Sequence, residues 1–484
     1  MDRRLEWILL AVLLAWVLGL RATQLDQPIL ENYVGRQIPT AMVARNLERG
    51  SGFLHPQLDT EPTPNLFLVE PPIYAATVVG LRRLTGLNLE QAGRCLSALG
   101  ATLAAWGLFG LVRRREGPAV ALLAVAAWSI CPLTVRYGRA FQPDMLMMGL
   151  WIAGLELLDR GTSRRVPGLF LVALGLTMKV TSAPMLVPLL AILPWKRLPK
   201  LLLCLTLLVP AGLWYVHAGR TMALAGGSQA SAENGAIWLS VLVPRALLET
   251  ETWWHAVRFT LLRGFTPPGF VLAIYGFWLG GPFWRQWTLA ALAGLLALAA
   301  KLHHEYYWLA LAPVASVGIA RGIAKLWKAR RARRIAGLAL ALVLVGWSHA
   351  ATRSTWRTPP EWASWDVAIR EIERVVPEGE SIVAPEALLY LADRRGCRME
   401  YSADSIRRAI REWPGPHPRA LEATDLLDFY GTRGATFYAD LTTEADPDRR
   451  ATLDLIRRNY PVVVDGSGVL IVRLRALRGS ADGR

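Results

Sequence analysis

An all-α polytopic membrane domain followed by a small soluble α/β domain is the fold class this sequence predicts. Three observations predict it. The 484 residues are 53% hydrophobic and only 19% charged, with 20 Trp, less charge than a soluble chain of this length carries. Apolar runs of about 16 to 20 residues recur as far as residue 350, the length that crosses a bilayer. From residue 351 onward, short β-type runs alternate with amphipathic helical ones.

The N-terminal "MDRRLEWILLAVLLAWVLGLRATQ" has a basic start and an apolar run but only a weak small-residue cleavage signal. An uncleaved first span at about 5–20, N-terminus inside, is expected. Residues 21–92 then form a first outer loop, with "PPIYAATVVGLRRLTG" lying along the membrane as an interfacial helix over 71–86. That placement puts every later basic loop inside. Further spans are expected at about 93–112, 118–135, 145–159, 166–178, 181–194, 199–216, 268–284, 286–302, 306–322 and 334–350, about eleven in all.

The net charge of +16 sits mostly in short loops: Arg113, Arg114 and Arg115; Arg160, Arg164 and Arg165; Lys196, Arg197 and Lys200; and "ARGIAKLWKARRARR" at 320–334. This is the pattern of cytoplasmic anchoring, and it argues against a nucleic-acid partner. Cys95, Cys131 and Cys204 fall in apolar runs and Cys397 stands alone in the polar region, so no metal-ligand spacing exists.

Residues 351–484 read as an extracytoplasmic α/β domain. "WASWDVAIREIERVV" has helical periodicity. "SIVAP", "GATFYADL" and "GVLIVRL" read as strands, with the amphipathic "DPDRRATLDLIRRNY" between the last two. No catalytic cluster is visible within this domain.

The same topology collects titratable groups on the outer face. The first loop brings Asp26, Glu31, Arg36, His55, Asp59 and Glu70. "RYGRAFQPDMLMMG" brings Arg136, Arg139 and Asp144, and Lys179 sits at the bend "LTMKVTSAP". The loop 217–267 adds Glu249, Glu251, His255, Arg258 and Arg263, and "KLHHEYYWLALAP" adds Lys301, His303, His304, Glu305 and Tyr306. A carboxylate can act as general base toward a hydroxyl, and Arg, Lys and His can neutralise a phosphate leaving group. Blander readings stand beside this one. Arg136 and Arg139 can snorkel to headgroups, Asp144 can cap a helix, and the histidines can belong to an interfacial belt.

These segments resemble bacterial membrane glycosyltransferases of the GT-C fold, the protein-mannosyltransferase-like and aminoarabinose-transferase-like group (family 39-like). The segments are "GRQIPTAMVARNL" (35–47), "HPQLD" (55–59), "VEPPIY" (69–74), "GRAFQPDMLM" (138–147), "GLTMKVTSAP" (175–184) and "HHEYYWLALAP" (303–313). The chain departs from many relatives in carrying Glu70 where they have Lys before the double proline.

The resemblance implies a GT-C-like membrane domain over 1–350 that moves a sugar from a polyprenyl-phosphate donor to a lipid, glycan or protein acceptor. The site would face outward from a bacterial inner membrane, with no divalent metal required. It implies a catalytic acid in the first loop, matched best by Glu31 with Asp26 and Asp59 as rivals, and a second outer acid at Asp144. Arg36, Arg139, Lys179, His303, His304 and Tyr306 are the expected substrate-binding residues. A flippase for lipid-linked sugars, or a noncatalytic scaffold displaying the C-terminal domain, are the alternative readings. The near absence of charge within the spans speaks against a flippase, and the convergent acids and cations against a scaffold.

Overall fold

The computed structural model describes residues 2–31, 34–225, 244–414, 419, 422–443 and 447–474. Part of the expected loop 217–267 therefore lies outside the described residues. The chain forms two compact units.

The first unit comprises residues 2–31, 70–216 and 244–357 and is helical. Its helices are α1 (Arg3–Ala22), α3 (Ile73–Thr85), α4 (Leu89–Glu116), α5 (Pro118–Ile130), α6 (Pro132–Tyr137) and α7 (Asp144–Arg160). They continue as α8 (Arg165–Met178), α9 (Leu186–Ile192), α10 (Arg197–Ala225), α11 (Thr250–Val257), α12 (Pro267–Trp278), α13 (Pro282–Ala297), α14 (Ala312–Trp327) and α15 (Arg331–Thr352). A helix stands at each expected span. Five among the described residues are long and apolar enough to cross a membrane: Arg3–Ala22, Leu89–Glu116, Arg197–Leu224, Glu305–Trp327 and Arg331–Trp356. The expected eleven is thus not confirmed. Proline is one reason: Pro132 starts a new helix where the run 118–135 was expected to continue.

That break has a definite repair. Pro132 has no N–H to give the carbonyl of Trp128, and the buried Arg21 at the end of α1 supplies donors instead. Its guanidinium reaches the carbonyls of Val17 (3.0 Å), Thr134 (3.1 Å), Trp128 (3.4 Å) and Ser129 (3.4 Å), and Thr134 Oγ1 at 3.0 Å. The Arg21 side chain lies against Gly138, where a Cβ would meet its Nε at 2.5 Å. Helices α4 and α7 pack backbone to backbone, and a Cβ on Gly149 would collide with the carbonyl of Gly100. Asn88 and Gln91 form a capping box at the start of α4.

The second unit comprises residues 34–69, 217–225 and the described part of 358–474. A five-stranded sheet, β1 (Ile382–Ala384), β2 (Gly396–Arg398), β3 (Phe437–Leu441), β4 (Val462–Gly466) and β5 (Val469–Arg473), has the order β2-β1-β3-β5-β4. β1 pairs in parallel with β2 and β3, while β5 pairs antiparallel with β3 and β4. The β4–β5 turn places Ser467 (φ 53°) and Gly468 (φ 84°) in the left-handed region, as a tight hairpin requires. The core joins Val383, Ile406, Leu426, Phe429, Tyr438 and Leu470. Strands at "SIVAP", "GATFYADL" and "GVLIVRL" fall where the sequence places them. β2 and β4 were not expected: "GCR" is too short to show a period, and β4 is a largely exposed edge.

Residues 34–69, expected in a first outer loop, are built into this unit. Helix α2 (Val34–Glu48) begins the segment, and Thr60 forms a parallel bridge with Gly396 of β2. Glu61 N–H donates to the Gly396 carbonyl at 2.7 Å, and Gly396 N–H to the Asp59 carbonyl at 3.2 Å.

Candidate active site

In the helical unit, three buried acid–cation pairs are linked through the turn 138–143 and the segment 305–307. The first is Glu31 with Arg94. Arg94, in the first turns of α4, pairs with the carboxylate, Nη1 2.6 Å from Oε1 and Nη2 donating to Oε2 at 2.9 Å, and also donates to the Pro28 carbonyl. Glu31 is 6% exposed and Arg94 not at all. Ser97, about one turn further along α4, donates to the Ala140 carbonyl at 2.6 Å and so ties this face to the turn that carries Arg139.

Arg139 is fully buried and donates through Nη2 to the Gln24 carbonyl (3.1 Å) and Gln27 Oε1 (3.0 Å). Desolvation lowers its pKa to about 10; repulsion from Arg94 adds to this, and attraction to Glu31 opposes it. Its Nε and Nη1 have no hydrogen-bond partner among the described residues. The same holds for both polar atoms of the buried Gln142 amide.

The second pair is Asp144 with Lys179. Asp144 is the first residue of α7, but it does not cap the helix: Pro143 holds the cap position and no side chain bonds there. Asp144 Oδ1 accepts from Lys179 Nζ at 2.7 Å, while Oδ2 has no partner among the described residues. Lys179 sits where α8 gives way to a 3-10 turn, its Nζ 4.4 Å from the ring centre of Tyr306 and 5.4 Å from that of Tyr307. A cavity of about 40 Å³ lies here, lined by Asp144, Met148, Ser182, Tyr306 and Tyr307 among others.

The third pair is Glu305 with Arg136. Glu305 accepts from Arg136, from Tyr137 Oη at 3.3 Å, and pairs with Arg263 Nε at 3.4 Å. Arg136 is 3% exposed. Neither it nor Arg139 snorkels outward; both point into the protein.

The other expected residues divide. Tyr306 is buried and stacks on His304, their ring centres 5.4 Å apart. His303 is exposed, 6.5 Å from the His255 ring; partial desolvation, then Lys301 and His255, hold its pKa below the usual histidine value. Asp26 is exposed and forms no ion pair among the described residues. Asp59 and Arg36 belong to the other unit. Asp59 is 1% exposed and accepts from Arg45 and from Asn46 Nδ2 (3.0 Å), and Arg36 lies over the Phe67 ring at 5.6 Å. Among the described residues no three His, Cys, Asp or Glu side chains come together to hold a metal ion.

Sequence reasoning missed Arg94, Gln27 and Gln142. Arg94 falls at the edge of an expected span, where one arginine reads as a boundary charge. The available signal is its position beside Gly93 and Ser97, small residues that admit a close neighbour. Charge within the spans was also underestimated, since Glu156 lies fully buried in α7.

Residues 69–214 match the family described as dolichyl-phosphate-mannose-protein mannosyltransferase. Among solved structures, ArnT from Cupriavidus metallidurans in the apo state is similar over 98% of this chain and 99% of its own, with 13% identity and a TM-score of 0.59. The same protein bound to undecaprenyl phosphate gives 0.58, at 13% identity and 99% of each chain. The archaeal oligosaccharyltransferase AglB from Archaeoglobus fulgidus, in complex with an inhibitory peptide and a dolichol-phosphate, gives 0.55 at 11% identity, over 94% of this chain and 72% of that one. No curated protein matches. The fold is therefore the one these solved structures share, and the GT-C resemblance holds at the level of the fold.

Proposed function

We propose that this protein is an integral membrane glycosyltransferase that moves a sugar from a polyprenyl-phosphate carrier to an acceptor. The observation that carries the reading is the run of buried acid–cation pairs Glu31–Arg94, Asp144–Lys179 and Glu305–Arg136, with unpaired polar atoms concentrated on residues 139–144. Buried polar groups in a folded protein are nearly always satisfied, so such a concentration marks a place built for a polar ligand. A scaffold has no use for it. A flippase would need the polar groups along a path rather than at one end.

In this reading Glu31 takes the proton of the acceptor hydroxyl or amine. The acceptor atom bonds to the anomeric carbon as the bond from that carbon to the phosphate oxygen breaks. Polyprenyl phosphate leaves with the electron pair, and the anomeric configuration inverts. Arg139 and Lys179 stabilise the charge that grows on the phosphate, Asp144 orients Lys179 and the sugar, and Tyr306 with His304 forms a stacking wall. His303 remains a candidate substrate contact. Asp59, engaged by Arg45 and Asn46, serves as an anchor of the first-loop segment rather than as the base. The distribution of basic loops supports a site on the extracytoplasmic face, in this reading that of a bacterial inner membrane. The acceptor is a lipid, glycan or protein of the envelope. Cations supply the leaving-group charge, so activity is expected to survive EDTA; loss that Mg²⁺ or Mn²⁺ restores would reverse that part.

The test compares envelope lipids and glycans by mass spectrometry in a deletion strain, the wild type, and a Glu31→Gln plus Asp144→Asn strain with matched membrane levels. Deletion and double variant should lack the same sugar increment. A double variant that restores the product would remove these acids from the mechanism.

A further inference from the structure

The Glu31 cluster carries an excess of buried positive charge. Arg94 and Arg139 are both fully buried and donate into one short segment, Arg94 to the Pro28 carbonyl and Glu31, Arg139 to the Gln24 carbonyl and Gln27 Oε1. Among the described residues no other acid forms an ion pair with either. Among the described residues Nε of Arg94 and both Nε and Nη1 of Arg139 have no hydrogen-bond partner, and the Gln142 amide in the same turn has none at either end. Two guanidinium groups facing one carboxylate, with donors left over, are incomplete without a second anion.

We propose that this cluster is an exchange site for a phosphoryl oxyanion. An incoming lipid phosphate takes the unpaired donors of Arg139 and draws the Arg94 fork away from Glu31. The carboxylate becomes available to the acceptor only when the donor is in place. The inference rests on the transferase reading and adds an order of events to it. Guanidinium offers carboxylate and phosphate the same planar pair of N–H donors, so the two anions compete for one fork.

Charge balance favours the exchange at both ends of the reaction. A donor phosphodiester brings one negative charge, which with Glu31 neutralises Arg94 and Arg139. After transfer the acceptor's proton resides on Glu31, and the released phosphate monoester carries the second negative charge. The cluster is again neutral. Without the donor, Glu31 stays paired with Arg94, at 2.6 Å as an ion pair and 2.9 Å as a hydrogen bond.

The test measures binding of farnesyl phosphate to the full-length protein in lipid nanodiscs, with farnesol and inorganic phosphate as separate arms. Glu31→Gln removes the internal competitor, so farnesyl phosphate should bind tighter, roughly tenfold, within the usual range for coupled sites. Arg94→Met should weaken binding by a similar factor. Adding Glu31→Gln to Arg94→Met should then change nothing, which isolates the competition. If Glu31→Gln does not fold, Glu31→Asp shortens the grip and should still tighten binding.

Unchanged or weaker binding in the Glu31 variants overturns the exchange. So does an equal response to inorganic phosphate, which would deny the lipid assignment, or to farnesol, which would deny the charge. Transfer activity separates the two claims. Tightening with transfer intact keeps the exchange and removes Glu31 as the base. Lost transfer without tightening keeps the transferase reading and removes the exchange.

Discussion

The two ends of helix α4 both carry arginines that meet acids, and they handle charge in opposite ways. At the C-terminal end Arg113 pairs with Glu6, Arg114 with Glu156 (3.0 Å) and Asp159 (2.6 Å), and Arg115 with Asp159 (2.6 Å). These arginine side chains are 21–36% exposed, and among the described residues Glu156 Oε2 alone of these acids' oxygens lacks a partner. At the N-terminal end Arg94 is fully buried, and the neighbouring turn 139–144 leaves polar atoms on Arg139, Gln142 and Asp144 without a partner among the described residues. At one end a single carboxylate oxygen is left over, at the other several donors and acceptors are. A network nearly complete within the protein fastens helices together. One left incomplete at full burial costs stability that only a ligand repays, and that asymmetry separates a staple from a site.

The sharpest way to break the comparison is to unpair an acid at the less complete end. Lys179→Met leaves Asp144 buried without its cation, and removing one partner of a buried pair costs about 3–5 kcal/mol. Thermal unfolding of the purified variant should show this as a large drop in Tm, and transfer should be lost. The double variant Lys179→Met plus Asp144→Leu removes both charges and should recover most of the stability with none of the activity. Recovery of both would mean that the pair is a staple like the one at the other end.

How legible these ends were follows from the same physics. The arginine-rich end was plain in the sequence, because clustered exposed cations beside apolar runs have one common cause. Asp144 and Lys179 were legible too, since a lone charge between apolar segments has few structural excuses. Glu31 was named from resemblance, but its partner was not. Nothing in local pattern says that Arg94, 63 positions along the chain, closes on it. The joining of 34–69 to the β2 edge was hidden for a similar reason: a single bridge at Thr60 and Gly396 leaves no period to read. Helices were found by hydrophobic length, and the count was overdrawn where proline cut one run into shorter pieces.

A milder change sharpens the comparison at the turn itself. Gly138→Ala would place a methyl 2.5 Å from both Nε of Arg21 and the Thr134 carbonyl oxygen, and 2.6 Å from Cδ of Arg21. Overpacking of this kind costs about 1–3 kcal/mol. Arg21 holds the broken end of α5, so the shift should pass to Arg136 and Arg139. Transfer by the purified variant should fall by more than its lost Tm explains, at a temperature where the protein remains folded. Activity that merely follows the folded fraction would show that this turn only holds the helices.

The smallest effect is expected at the more complete end. Arg115→Ala removes one of two arginines on Asp159, and Arg114 stays in place at 2.6 Å. Arg115 is about a fifth exposed and also lies over the Phe283 ring, its Cζ 3.9 Å from the centre, so part of any loss is packing rather than charge. Ion pairs open to solvent contribute about 0–1 kcal/mol, and salt screens them. Unfolding at low and high ionic strength should therefore show a slight destabilisation that narrows as salt rises, with transfer unchanged. The Lys179→Met penalty should be insensitive to the same salt, because no ions reach a buried pair. Equal salt dependence at the two ends would erase the distinction drawn between them.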